Sequence, residues 1–309
     1  MKRIVLTVAC LSVFNSACIR TASQRNVPYY LSVQTRQDLQ TFITYTPERI
    51  PLVSAHRGGA TTGYPENCIA TFDHTLSQTY AIIEFDVQFS KDDSLVIMHD
   101  YTLDRTSNGT GRLDKYTFSE LRGLRLKDPE GKLTPHTLPT LSEVLQWAKG
   151  KTVLTVDVKK GVPAQRIVSA ISQHRAQAYA MVITYSIAQM KEYYKLDSTL
   201  SFTTTVENFK HLAELLESGV PLNQVAAFVG VQEPDAALYK ALHEKGIKCI
   251  LGTMRLEKGQ SPDVYPRLAE RGADIFATDR PVEAGAVLKE SLPKDIKKRP
   301  EYIFLVGKR

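Results

Sequence analysis

Eight short runs rich in β-branched residues recur from about Pro51 onward, and patterns of helical period fill the intervals between them. The runs cover Leu52–Ala55, Ala81–Val87, Thr152–Val158, Met181–Tyr185, Ser201–Thr205, Gln224–Val229, Lys248–Gly252 and Ile275–Thr278. Helices are predicted over Asn67–Ser77, Leu141–Trp147, Pro163–His174, Ile187–Tyr194, Val206–Ser218, Pro234–Lys245 and Pro262–Arg271, several opening on a Pro or a capping residue. Strict alternation forces crossover connections and hence a mostly parallel sheet. Eight repeats predict an α/β fold of the closed TIM (β/α)8 barrel type. The alternative, an open doubly wound sheet, lacks its dinucleotide fingerprint here. Arg57-Gly58-Gly59-Ala60 has neither the glycine spacing nor an acidic partner about 20 residues on.

The second unit is too long for a plain crossover. Between Val87 and Lys151 lie a further short strand, Ser94–Met98, and a polar stretch rich in Gly, Asn and Thr. We read a small insertion after the second strand, on the face where barrel enzymes carry their site.

The N-terminal residues have another purpose. Lys2 and Arg3 precede an apolar run, Ile4–Phe14, and Asn15-Ser16-Ala17 lead into Cys18, the layout of an export signal over residues 1–17. The run is shorter than the roughly 20 residues that cross hydrocarbon. Phe14-Asn-Ser-Ala-Cys18 is similar to a bacterial lipoprotein box, so the expectation is membrane attachment through a lipidated Cys18, or simple secretion. Either way export is expected, to the periplasm, the cell surface or the medium. Residues 18–50 read as a tether and one amphipathic packing helix, Arg36–Thr44, and residues 51–309 as the barrel domain.

Net charge is +6, and the signal accounts for two of those charges. No basic stripe with interleaved aromatics occurs, which argues against nucleic acid as a partner, and the end containing Lys294, Lys297, Lys298, Arg299, Lys308 and Arg309 reads as a solvated tail. Cys68 and Cys249 are too few for a disulfide framework and read as two buried thiols.

Four strand ends carry polar groups. His56 and Arg57 follow the first strand, with Gly58 and Gly59 expected to let backbone approach a ligand. Glu84 and Asp86 stand two residues apart in the second strand and so share a face. Inside a barrel, such a pair calls for a hard divalent cation; on the outside it would simply be solvated. Leu95-Val-Ile-Met-His99-Asp100 delivers a second histidine, with Asp100 either orienting it or facing solvent. Asp157 and Lys159 end the third strand, the first able to complete a three-carboxylate set and the second able to meet an anionic oxygen. His74, His136, His174, His211 and His243 read as surface or packing residues.

His56-Arg-Gly-Gly59, Pro65-Glu66-Asn67, Glu84-x-Asp86, His99-Asp-Tyr-Thr-Leu-Asp-Arg105-Thr106, Pro139-Thr-Leu141 and Ala277-Thr-Asp279-Arg-Pro281 occur in this order. The set resembles the glycerophosphodiester phosphodiesterase family over roughly Pro51 to Pro281. The resemblance implies metal-dependent hydrolysis of glycerophosphodiesters to glycerol 3-phosphate and an alcohol. It implies His56 and His99 as catalytic acid and base, Arg57 and Lys159 as substrate contacts, and Glu84, Asp86 and Asp157 as ligands of Ca²⁺ or Mg²⁺. Glu66 matches a family motif and is expected either to order the first loop or to touch substrate. The family most often has Glu where this chain has Asp157, so a looser or water-mediated hold is expected there. A phosphatidylinositol-type phospholipase and a non-catalytic binding lipoprotein are the alternative functions.

Overall fold

The computed structural model describes residues 29–290, Asp295 and residues 303–307, so the export segment, Cys18 and the six basic residues of the tail lie outside the described residues. After a short strand β1 (Tyr29–Leu31) and helix α1 (Arg36–Ile43), the barrel begins with β2 (Leu52–Ala55), α2 (Ile69–Gln78) and β3 (Ala81–Phe89). The insertion follows, with β4 (Leu95–Ile97) and α3 (Phe118–Arg122). Then come α4 (Leu141–Ala148), β5 (Leu154–Val158), α5 (Ala164–Gln173), β6 (Ala180–Thr184), α6 (Ile187–Leu196), β7 (Ser201–Thr205) and α7 (Phe209–Leu216). β8 (Val225–Phe228), α8 (Ala236–Glu244), β9 (Cys249–Gly252), α9 (Val264–Arg271), β10 (Ile275–Thr278) and α10 (Pro281–Glu290) complete the circuit, and β11 (Leu305–Gly307) pairs antiparallel with β1.

β2 pairs in parallel with both β3 and β10, which closes an eight-stranded parallel barrel. The sheet is therefore not the open, doubly wound alternative. The strand runs are found where the sequence places them, within two residues at each end. Helix α10 was not read from the sequence.

Pleat and register decide which side chains face inward. In β3, Ile83, Phe85 and Val87 join the apolar layer beneath the surrounding helices. Glu84 and Asp86 consequently point the other way, and the parallel register sets them opposite Thr155 and Asp157 of β5. This excludes the solvated, outward pair.

The end of the barrel at which the strands begin is sealed by hydrocarbon. Thr35 caps α1, accepting from the Asp38 N–H at 3.1 Å while Asp38 accepts from the Thr35 N–H at 2.9 Å. Leu39, Phe42 and Ile43 of this helix pack with Leu52, Ile82, Val153, Met181, Ala226, Ile250 and Ile275, each at the start of a different strand or within one residue of it. Glu84, Asp86 and Asp157 lie toward the other end. There the insertion builds its own small core from Val96, Met98, Leu103, Leu113, Leu121, Leu126 and Leu138, with Cys68 against it. Cys68 and Cys249 are both buried free thiols.

Candidate active site

β2 ends in a tight turn that carries His56. Its neighbour Arg57 adopts a left-handed backbone (φ 52°), followed by Gly58 (φ 84°) and Gly59 (φ 81°). The glycines do not make room for a ligand, as expected from sequence, but for the protein itself. A Cβ on Gly58 would lie 2.3 Å from the Phe72 ring, and one on Gly59 2.4 Å from Pro281. The turn aims the Arg57 N–H at Glu84 Oε2, 2.6 Å away.

Glu84, Asp86 and Asp157 are buried and offer oxygens that all lie within 4.8 Å of one another. Burial pushes the Glu84 carboxyl well above the usual carboxylate range, and the Asp86 charge pushes it further. Burial raises Asp86 as well, but Lys159 and the Asn67 amide outweigh it and hold that carboxyl low. Lys159 Nζ stands 2.6 Å from Asp86 Oδ1 and 2.7 Å from Asp157 Oδ2. Lys159 and the Arg57 guanidinium set two positive charges against three carboxyl groups, so the fully ionised cluster would carry excess negative charge in a dry site. An oxygen-only donor set with that excess suits a hard divalent cation.

Each ligand candidate is also held from outside. Asn67 donates to Asp86 Oδ2 at 2.7 Å and accepts from the Asp86 N–H at 3.1 Å, and Tyr185 donates to Asp157 Oδ1 at 2.7 Å. The Tyr185 ring is exposed at the rim. Its alignment with Asp157 was not legible in the sequence, because a lone tyrosine after a strand carries no signature.

Both histidines have an Nδ1 on a carboxylate at 2.7 Å, His56 on Asp279 and His99 on Asp100. This settles the role left open for Asp100, and it assigns Asp279 a partner the sequence could not show. Burial alone would lower His56; the hydrogen bond to Asp279 and the charges of Glu84 and Asp279 outweigh it and raise the imidazole above its ordinary value. His99 is reached through β4: the Met98 N–H donates to Asp86 O, and Gln88 Nε2 holds the carbonyls of Met98, His99 and Asp100.

Glu66 orders the first loop instead of standing alone in it. It accepts from Arg57 Nη1 at 3.1 Å and from Arg105 Nη1 and Nη2 at 2.8 and 2.7 Å, while Arg105 Nε donates to Asp100 Oδ2 at 2.6 Å. Arg57 Nε is buried without a hydrogen-bond partner, 3.8 Å from Asp86 Oδ2. It is an unused donor in the site.

A second cluster, His243, Cys249 and Asp274, also has ligand-type atoms in reach of one another. Its donors are already spent. Asp274 accepts from Arg49 Nε at 2.5 Å, from the Cys249 N–H at 2.7 Å and pairs with His243 Nε2 at 2.9 Å, and burial pushes the Cys249 thiol far up, against thiolate. Tyr45 stacks on His243 at 3.6 Å between centroids. This is a clasp at the sealed end.

A model of the glycerophosphoryl diester phosphodiesterase family matches residues 56–283. A crystal structure of a glycerophosphoryl diester phosphodiesterase from Parabacteroides distasonis superposes with a TM-score of 0.83 at 36% identity, covering 86% of this chain and 96% of that one. The structure of an Oleispira antarctica phosphodiesterase in complex with the product sn-glycerol-3-phosphate shares the fold, with a TM-score of 0.63 at 21% identity over 78% of this chain and 98% of that one. Among curated proteins, a glycerophosphodiester phosphodiesterase of Caldanaerobacter subterraneus is 31% identical over 47% of this chain, and that stretch spans 62% of the relative's length. The ordered motifs, the closed barrel and the family match all fall on the same residues, and the chain belongs to the glycerophosphoryl diester phosphodiesterase family.

Proposed function

We propose that the protein hydrolyses small glycerophosphodiesters to glycerol 3-phosphate and an alcohol, with His56 and His99 as the acid/base pair. One observation carries this reading. Two histidines, each with Nδ1 committed to an aspartate, stand at strand ends beside a buried three-carboxylate cluster. With Nδ1 so committed, Nε2 is the nitrogen left to exchange a proton with substrate. The crystal structure from P. distasonis, 36% identical, bears the name of this activity.

Attack on a phosphodiester adds negative charge to oxygens that already share one, and catalysis requires donors aimed at that charge. A divalent cation, Ca²⁺ or Mg²⁺, held by Glu84, Asp86 and Asp157 would neutralise it. Arg57 Nε and Lys159 are the protein's own cationic donors for the phosphoryl oxygens. His56 Nε2 accepts the proton of the glycerol 2-hydroxyl as that oxygen attacks phosphorus, and His99 protonates the departing alcohol. The roles then reverse: His99 takes a proton from water, which opens the cyclic phosphate, and His56 returns its proton to the 2-oxygen. Asp157 is shorter than the Glu usual in the family, and Tyr185 engages its Oδ1 while Lys159 engages its Oδ2, so a cation would share Oδ2 with the Lys159 ammonium.

The test is release of glycerol 3-phosphate from glycerophosphocholine, glycerophosphoethanolamine and glycerophosphoinositol, with and without chelator. Release that stops on chelation and returns with added Ca²⁺ or Mg²⁺ is expected. Binding without turnover would make the protein a binding lipoprotein, and preferential cleavage of intact phosphatidylinositol would make it a phospholipase. We further propose export through residues 1–17, with lipid on Cys18; labelled palmitate incorporation lost in Cys18→Ala distinguishes anchoring from secretion.

A further inference from the structure

Beyond β9 the chain enters a loop whose centre is a buried acid, Glu257, only 3% exposed. Its Oε2 accepts from three hydroxyls: Thr253 at 2.8 Å, Tyr265 at 2.6 Å and Thr278 at 2.7 Å. Its Oε1 accepts from the backbone N–H of Asp279 at 3.2 Å. Thr278 Oγ1 also accepts from the Arg280 N–H at 2.9 Å, and Arg280 Nη1 donates to the carbonyls of Glu257 and Gln260. Asp279 is thus gripped at its own amide and through both sequence neighbours, and its side chain is what holds His56 Nδ1.

A buried carboxylate surrounded mainly by hydroxyls is an expensive way to fill space. Apolar residues of similar volume would pack this loop at lower cost. The arrangement makes sense if the position of the Asp279 backbone matters to a few tenths of an ångström. A carboxylate that must meet an imidazole on the neighbouring strand end has that requirement.

We infer that Glu257 is a positioning residue for the reaction, fixing the Asp279 backbone so that its carboxylate holds His56 in the Nδ1–H tautomer. The inference rests on His56 acting as proposed above. Around His56 the charged or titratable groups are Asp279, Glu84 and Arg57; around Glu257 they are the neutral phenol of Tyr265 and the charged Arg280.

The experiment uses the full-length enzyme and two readouts. The ¹⁵N shifts of the His56 ring report its tautomer without any turnover, and kcat and KM for glycerophosphocholine report catalysis. In Glu257→Gln, which keeps the size of the side chain, kcat is expected to fall about 10- to 100-fold. KM should change little, and the His56 ring should show a mixture of tautomers like that of Asp279→Asn. Tyr265→Phe, which removes one donor and leaves the acid, should shift both readouts the same way by less. A folded Glu257→Gln with wild-type ring shifts and kcat overturns the inference; should that variant not fold, an unchanged Tyr265→Phe does so. If the wild type releases no glycerol 3-phosphate, the functional reading fails, while the ring shifts still decide whether Glu257 positions His56.

Discussion

The two histidines are held by the same contact at the same distance, yet the contacts come from opposite kinds of structure. Asp100 is the next residue after His99, so that pair survives whatever happens elsewhere, and its second support, Arg105, belongs to the same insertion. Asp279 is 223 residues from His56 and reaches it only because β10 lies beside β2, with Thr278 in register with Ala55. One imidazole is oriented by local sequence and the other by closure of the barrel. The difference separates what a loop can supply from what only a fold can supply.

Substitutions can break this symmetry in graded steps. His56→Ala and His99→Ala should each lower glycerol 3-phosphate release by about 10²- to 10⁴-fold, since each removes a proton carrier of the proposed mechanism; a variant keeping more than about a tenth of wild-type turnover removes that histidine from the pair. Asp279→Asn should cost less, about 100-fold, by freeing the ring. It also removes the hydrogen bond and charge of Asp279, leaving only Glu84 to oppose burial, so the limb of the kcat/KM profile assigned to His56 moves to lower pH. A limb that stays in place would show that His56 titrates independently of Asp279. Arg105→Ala should cost about tenfold at most, because Asp100 remains tethered beside His99 while losing the guanidinium that holds its carboxyl well below the usual range. The smallest effect on turnover is expected from Phe42→Ala at the sealed end. Thermal or urea unfolding should show a loss of about 3–5 kcal/mol, with kcat of the folded enzyme nearly unchanged.

The same contrast explains what the sequence revealed. The eight strands were legible because a fully buried parallel strand must be a run of β-branched and apolar residues, and the polar exceptions Glu84, Asp86 and Asp157 stood out against that background. Helix α10 is not legible in the sequence because it carries Gly285 in its interior, a poor helix former. That glycine answers to packing: a Cβ there would lie 2.0 Å from Thr79 Oγ1. Asp279 was visible within a motif but had no role, since nothing in a one-dimensional pattern says that β10 closes on β2. Glu257 was not singled out at all. An acid in a Lys- and Gly-containing loop reads as solvent-exposed, and only the tertiary fold brings three hydroxyls around it.

Barrel closure has a consequence in time as well as in space. Synthesis proceeds from the N-terminus, so His56, the carboxylate cluster, Lys159 and His99 are all made long before Asp279. Until β10 is complete and docked between β9 and β2, His56 has no carboxylate partner, and the proposed acid/base pair has only one member set. A chain interrupted anywhere between residues 159 and 279 would carry Glu84, Asp86, Asp157 and both histidines and still lack the contact that orients His56. The last strand of the barrel therefore acts as a completeness check, tying chemical competence to the finished polypeptide.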